Sequence, residues 1–155
     1  MSVTILIIAV IVLGISMYIH KEKTLYKSFN INEVKSIEMI ILYPHGEASP
    51  TITMYLNLNN KEQRNTAENI FKWLKATNYS KQIGGVASKA WPPPEIKITL
   101  KNGYKMEISQ YIYNQIIVDI SNKKGKSCSL YPRLIKSPNL AGYINAETNM
   151  LLSSK

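Results

Sequence analysis

The chain has one cysteine and two histidines, and no charged side chain occurs before Lys21. A lone Cys128 cannot close an intrachain disulfide or build a cysteine-based zinc site, and His20 and His45 are too few for a histidine-rich metal centre. Acidic residues are scarce and scattered, 10 against 19 Lys and Arg, so a paired-carboxylate hydrolase or a calcium loop lacks its raw material. Gly84-Gly85 matches neither the P-loop nor the dinucleotide fingerprint, and no serine or cysteine sits in a nucleophile elbow. No internal repeat or low-complexity tract is present. No catalytic set, metal site or cofactor is therefore expected.

What is present falls into two parts. The first 20 residues carry no Lys, Arg, Asp or Glu, so the whole net charge of +9 rides on the rest of the 155-residue chain. Residues 3–19 read VTILIIAVIVLGISMYI, an apolar run with no polar stripe. Roughly 17 to 20 such residues in a helix cross about 30 Å of hydrocarbon, which makes this run a transmembrane anchor. Tyr18, His20, Lys21 and Lys23 follow in the order expected of a membrane interface, aromatic or amphipathic rings first and cations next. A cleaved signal peptide would carry a basic n-region, and Met1-Ser2-Val3-Thr4 has none. No cysteine follows the run to serve as a lipid attachment site. Lys21, Lys23, Lys27 and Lys35 all come after the span, so the positive-inside rule leans towards a cytoplasmic C-terminal domain.

The expected division is an anchor over 1–20, a polar tether over 21–33, a folded domain over 34–148 and a flexible tail over 149–155. Within the domain, 34–43 reads as a largely buried strand and 51–58 alternates, with Ile52, Met54, Leu56 and Leu58 inward. Asn60 is a good N-cap with Gln63 placed for a capping box, and Ala67, Ile70, Phe71 and Leu74 make one apolar stripe on a helix over 61–77. Trp91-Pro92-Pro93-Pro94 reads as a stiff connector in preference to a ligand for a proline-binding groove.

The clearest local pattern is EIKITLKNGYKMEIS at 95–109. A two-residue Asn102-Gly103 turn would set Leu100 beside Lys105, apolar against polar. A three-residue loop 101–103 instead pairs Leu100 with Tyr104, Ile98 with Met106, and Ile96 with Ile108, and puts Lys97 across from Glu107. Gly103 then takes a positive φ. The same bookkeeping with a loop over 122–126 sets Ile120 opposite a buried Cys128 and Val118 opposite Leu130. Ser137-Pro138 opens a short helical patch built on Leu140, Tyr143 and Ile144. The fold class is α+β: an N-terminal transmembrane helix, then a mainly antiparallel sheet of about five or six strands covered by one longer helix.

Two features bear on function. His45 beside Glu47 in the Pro/Gly loop 44–50 supports an alternative reading as a small membrane-bound hydrolase or transferase, against the plainer reading of a solvated pair. Lys123, Lys124 and Lys126 project from one hairpin tip, with Arg133 and Lys136 close behind, as candidate contacts for an anionic partner. The partners of this chemistry are the lipid bilayer itself through residues 3–19, and anionic lipid, an envelope polymer or another membrane protein for the basic surface. Nucleic acid ranks lower, because Tyr104 among the interleaved tyrosines is already assigned to the core. The layout, with Tyr111-Ile112-Tyr113-Asn114 leading into Val118-Asp119-Ile120 and then Ser137-Pro138-Asn139-Leu140, is similar to small uncharacterised membrane-anchored proteins of Gram-positive bacteria. That resemblance implies a single-pass membrane protein and carries no site residues. The leading expectation is a membrane-anchored, non-catalytic interaction domain with a basic surface.

Overall fold

A computed structural model describes residues 3–42, 51–77, 80–83, 94–112, 114–128 and 130–153. The elements run α1 (Val3–Lys23), α2 (Leu25–Ser28), a 3-10 turn (Ile31–Glu33), β1 (Val34–Leu42), β2 (Thr51–Tyr55), α3 (Lys61–Ala76), β3 (Ser80–Gln82), β4 (Glu95–Leu100), β5 (Lys105–Gln110), β6 (Gln115–Ser121), β7 (Arg133–Lys136) and α4 (Pro138–Ser153). The fold is α+β, with an apolar N-terminal helix ahead of one antiparallel sheet. Its order is β2-β1-β4-β5-β6-β7-β3, seven strands where five or six were expected. The additional strand, β3, is three polar residues on an edge, too short for any period to show.

Alternation decides which face is covered. Ile37, Ile98, Met106 and Ile120 stand in one row across β1, β4, β5 and β6, and Met39, Ile96, Ile108 and Val118 in the next. All eight are buried, and Ala67, Ile70, Phe71 and Leu74 of α3 join them in the same core with Leu140, Ala141 and Ile144 of α4. The opposite face carries a charged row, Glu38, Lys97, Glu107 and Asp119 in register, beside a mixed row of Ile40, Glu95, Ser109, Ile117 and Leu134.

The β4–β5 hairpin follows the register arithmetic. Ile98 pairs with Met106, Ile96 with Ile108 and Lys97 with Glu107, and Gly103 has φ 87°. Leu100 N–H donates to Tyr104 O at 2.9 Å to close the loop. Lys97 Nζ lies 3.8 Å from Glu107 Oε1 and 3.7 Å from Glu95 Oε2.

Other expectations need correction. The stretch taken as a tether is part of the fold: Tyr26 is 1% exposed and Phe29 6%, both within the core cluster. Tyr26 on α2 and Phe29, extended just after it, are the two apolar rings that signal this. Asn60 caps α3 through Glu62 N–H and Gln63 N–H, but Gln63 Oε1 accepts from Asn57 N–H, so the reciprocal half of the capping box is replaced by a clamp on the preceding turn. Val118 pairs with Arg133, not Leu130, because a turn closed by Tyr131 N–H on Cys128 O interposes before β7 resumes the ladder. Cys128 packs against the core but is only half-buried. The C-terminal patch is a full 16-residue helix that continues through Ser153, so the sheet has two long helices over it and the expected tail is mostly helical. The loop 44–50, Gly84-Gly85 and Trp91-Pro92-Pro93 lie outside the described residues.

Candidate functional site

The N-terminal helix and the sheet meet at one end of the domain. Thr24 breaks the helical run by turning its hydroxyl onto His20 O at 3.0 Å, and α2 restarts at the next residue. Tyr26 N–H then donates to the buried Tyr131 hydroxyl at 3.1 Å. Asn30 organises the 3-10 turn by a capping box with Glu33, and Glu33 O accepts from Lys101 N–H at 2.8 Å. Phe29 leans on Tyr104, ring centroids 6.2 Å apart. The chain leaving α1 is thereby fastened to the β4–β5 turn and to the β6–β7 connection.

Those two turns touch each other. A Cβ placed on Gly103 would fall 2.9 Å from Lys123 Cβ, so only glycine permits this approach. In the second turn Asn122 Oδ1 accepts from Lys124 N–H at 2.9 Å and from Lys126 N–H at 3.2 Å, and Gly125 turns at φ 76°. One side-chain amide thus holds the backbone while the neighbouring lysines are exposed. Lys101, Lys105, Lys123, Lys124 and Lys126 are all exposed. Among the described residues none of these five is within ion-pair distance of a carboxylate. The acids of this end are engaged locally: Glu22 accepts from Tyr18 O–H, Glu33 from Asn30 N–H, and Asp119 from Ser127 O–H.

The five residues picked out from the sequence as anionic-partner contacts do not form one cluster. Lys123, Lys124 and Lys126 share the turn at the α1 end. Arg133 is 4% exposed, stands on the core face opposite Val118, and directs Nη1 towards Leu130 O at 3.4 Å. That burial removes it from an exposed basic surface. Lys136 is exposed but pairs with Gln115 at the other end of the strands. Lys101 and Lys105 belong with the first three, and Gly103 in K-N-G, adjoining a second K-K-G-K turn, was the sequence clue. At the end of α1, Tyr18 is exposed, with His20, Lys21 and Lys23 in the last turn.

Two groups near this end, Cys128 and Tyr131, are held towards their protonated forms. Burial pushes the Cys128 thiol above its ordinary value, with the Glu22 and Asp119 carboxylates adding to the effect. Burial likewise raises the Tyr131 phenol. Among the described residues no three His, Cys, Asp or Glu come together as a metal site. An open groove between the 3-10 turn and α3 is lined by Asn30, Ile31, Glu68, Phe71, Lys72 and Lys75. His45 and Glu47 lie outside the described residues. What the arrangement offers chemically is a cationic surface of mobile ammonium groups on a rigid pair of turns. Comparison with protein-family models, with curated proteins and with solved structures gave no match.

Proposed function

We propose that the chain is a single-pass, membrane-anchored, non-catalytic binding domain that presents a basic surface beside its own membrane. The observation that carries this reading is α1 itself. It is 21 residues long with none buried, and among the described residues nothing covers its apolar sides. A helix that is apolar all round needs an apolar surrounding, and the bilayer supplies one while its own backbone hydrogen bonds stay satisfied. A signal sequence has a similar length and composition. An anchor is favoured by the short path from α1 to the core, with Tyr26 buried three residues after Lys23. The basic residues after the span incline the domain towards the cytoplasmic side. The partner classes that suit the surface are anionic lipid, an anionic envelope polymer or another membrane protein.

The test is alkaline carbonate extraction of membranes holding the full chain, together with its intact mass. The wild-type chain stays in the pellet with its N-terminal segment uncut. Ile8→Asp combined with Ile11→Asp places two charges mid-span at about 3 kcal/mol each, enough to release the protein to the supernatant. A wild-type chain that is carbonate-soluble, or that has lost its apolar segment, sinks the anchor.

A further inference from the structure

We propose that the α1 end of the sheet is a docking surface for the anionic lipid headgroups of the membrane that α1 enters, so that the domain lies against the bilayer and does not stand off from it. This rests on the anchored reading above.

Distance comes first. Ile19 ends the apolar run and Tyr26 is already core, seven residues that span about 10 Å as helix. Charge interactions at physiological salt reach about 8 Å. The β4–β5 turn, with Lys101 and Lys105, is fastened through Glu33 O, seven residues past that segment, and the connection bearing Lys123, Lys124 and Lys126 is fastened at its end through Tyr26 N–H to the Tyr131 hydroxyl. The anchor therefore delivers these ammonium groups to the headgroup layer.

Chemistry then selects the partner. All five are lysines, compact point charges on flexible stems, with no exposed arginine among them to grip one phosphate with a planar fork. Such groups suit a fluid array of monovalent headgroups better than one fixed polyanion. Tyr104, beside the first turn, packs on Phe29, and Tyr131, in the β6–β7 connection, is buried with its hydroxyl on Tyr26 N–H, so neither offers an open face for a nucleic-acid base to stack on. The ladder from Asn122 and the Gly103–Lys123 approach hold the array in place without any ligand.

The full chain is reconstituted into vesicles of phosphatidylcholine alone and of phosphatidylcholine with phosphatidylglycerol, and lysine acylation is mapped by mass spectrometry. Lys101, Lys105, Lys123, Lys124 and Lys126 should be protected about fivefold in the anionic vesicles, the ratio that matches one lysine at an anionic surface. Lys136, exposed at the other end of the strands, should react equally in both. High salt should abolish the protection. Changing Lys123, Lys124 and Lys126 together to Ser should return Lys101 and Lys105 to their phosphatidylcholine reactivity, whereas Arg at the same three positions should keep them protected. Equal acylation in both vesicles, with the chain still carbonate-resistant, overturns docking and leaves the anchor standing. Protection that appears only when a soluble anionic polymer or RNA is added overturns the lipid as partner. A chain that floats with neither vesicle overturns the anchor itself.

Discussion

The apolar surfaces of two helices of the chain are handled in opposite ways. On α3, Ala67, Ile70, Phe71 and Leu74 are buried against the sheet while Lys61, Arg64, Lys72 and Lys75 stay in solvent. On α1, Leu6, Ile11 and Leu13 are more than half exposed, as are their neighbours all round the helix. The same split runs through the lysines. Lys97 sits between Glu95 and Glu107 on the polar sheet face, whereas Lys123, Lys124 and Lys126 have no carboxylate within reach among the described residues. The folded layer finds its complements inside the chain, and the α1 end presents surfaces whose complements lie outside it. That difference is the ground on which the α1 end is proposed as a binding surface.

The largest effect separates one leucine from another. Leu74→Ala removes side-chain volume from a site with no solvent exposure, and such truncations cost about 2–5 kcal/mol. Leu13→Ala makes the same chemical change on α1 at a position 63% exposed, so domain stability should hardly move. Both are read by denaturant unfolding of the detergent-solubilised chain, following the fluorescence of Trp73, whose ring lies 5.8 Å from Tyr143. A Leu13→Ala loss comparable to that of Leu74→Ala would mean that α1 packs on the domain and would erase the contrast.

Two glycines give the next effect. Gly103 and Gly125 both hold positive φ, 87° and 76°, where an added Cβ costs roughly 1–2 kcal/mol. At Gly125 that Cβ would meet nothing within 4 Å, but at Gly103 it would press on Lys123 Cβ at 2.9 Å. Gly103→Ala should therefore destabilise more than Gly125→Ala, with the turns pushed apart. Differential scanning calorimetry of the two variants checks the order, and equal melting temperatures would show that the turns do not bear on one another.

Much of this was readable in advance, and the misses have physical causes. The β4–β5 register was legible because a one-residue slip would have turned Ile96, Ile98, Met106 and Ile108 away from the core. The stripe on α3 and its Asn60 cap were legible for the same kind of reason, a period with a stop signal in front of it. Arg133 was misread because R-L-I-K is too short for alternation to choose a face, and its charge suggested solvent where the pairing with Val118 puts it inside. The last two turns of α4 were missed because N-A-E-T-N has little apolar content, and packing against α3 and β6 carries a helix that propensity alone does not announce. The site was half legible. The basic turns are sequence features, but their meeting depends on Gly103 against Lys123 and on Tyr26 reaching Tyr131, contacts between segments far apart in the chain.

The smallest effect concerns the two kinds of lysine. Lys97 is flanked in register by Glu38 and Glu107, with Glu95 two positions away on its own strand. Lys97→Met removes two ion pairs at partly exposed positions, worth under about 1 kcal/mol, and leaves the carboxylates facing one another. The loss should shrink as salt rises, since screening weakens what remains, namely repulsion between Glu38, Glu95 and Glu107. Lys124→Met breaks no pair in the chain and should leave stability unchanged at every salt concentration, because Asn122 takes the Lys124 N–H from the backbone and not from the side chain. Measured side by side in urea, a salt-sensitive loss at Lys97 with none at Lys124 marks the first as a fold residue and the second as one kept free for a partner. A stability loss at Lys124 as large as that at Lys97 would instead tie the turn lysines to the fold.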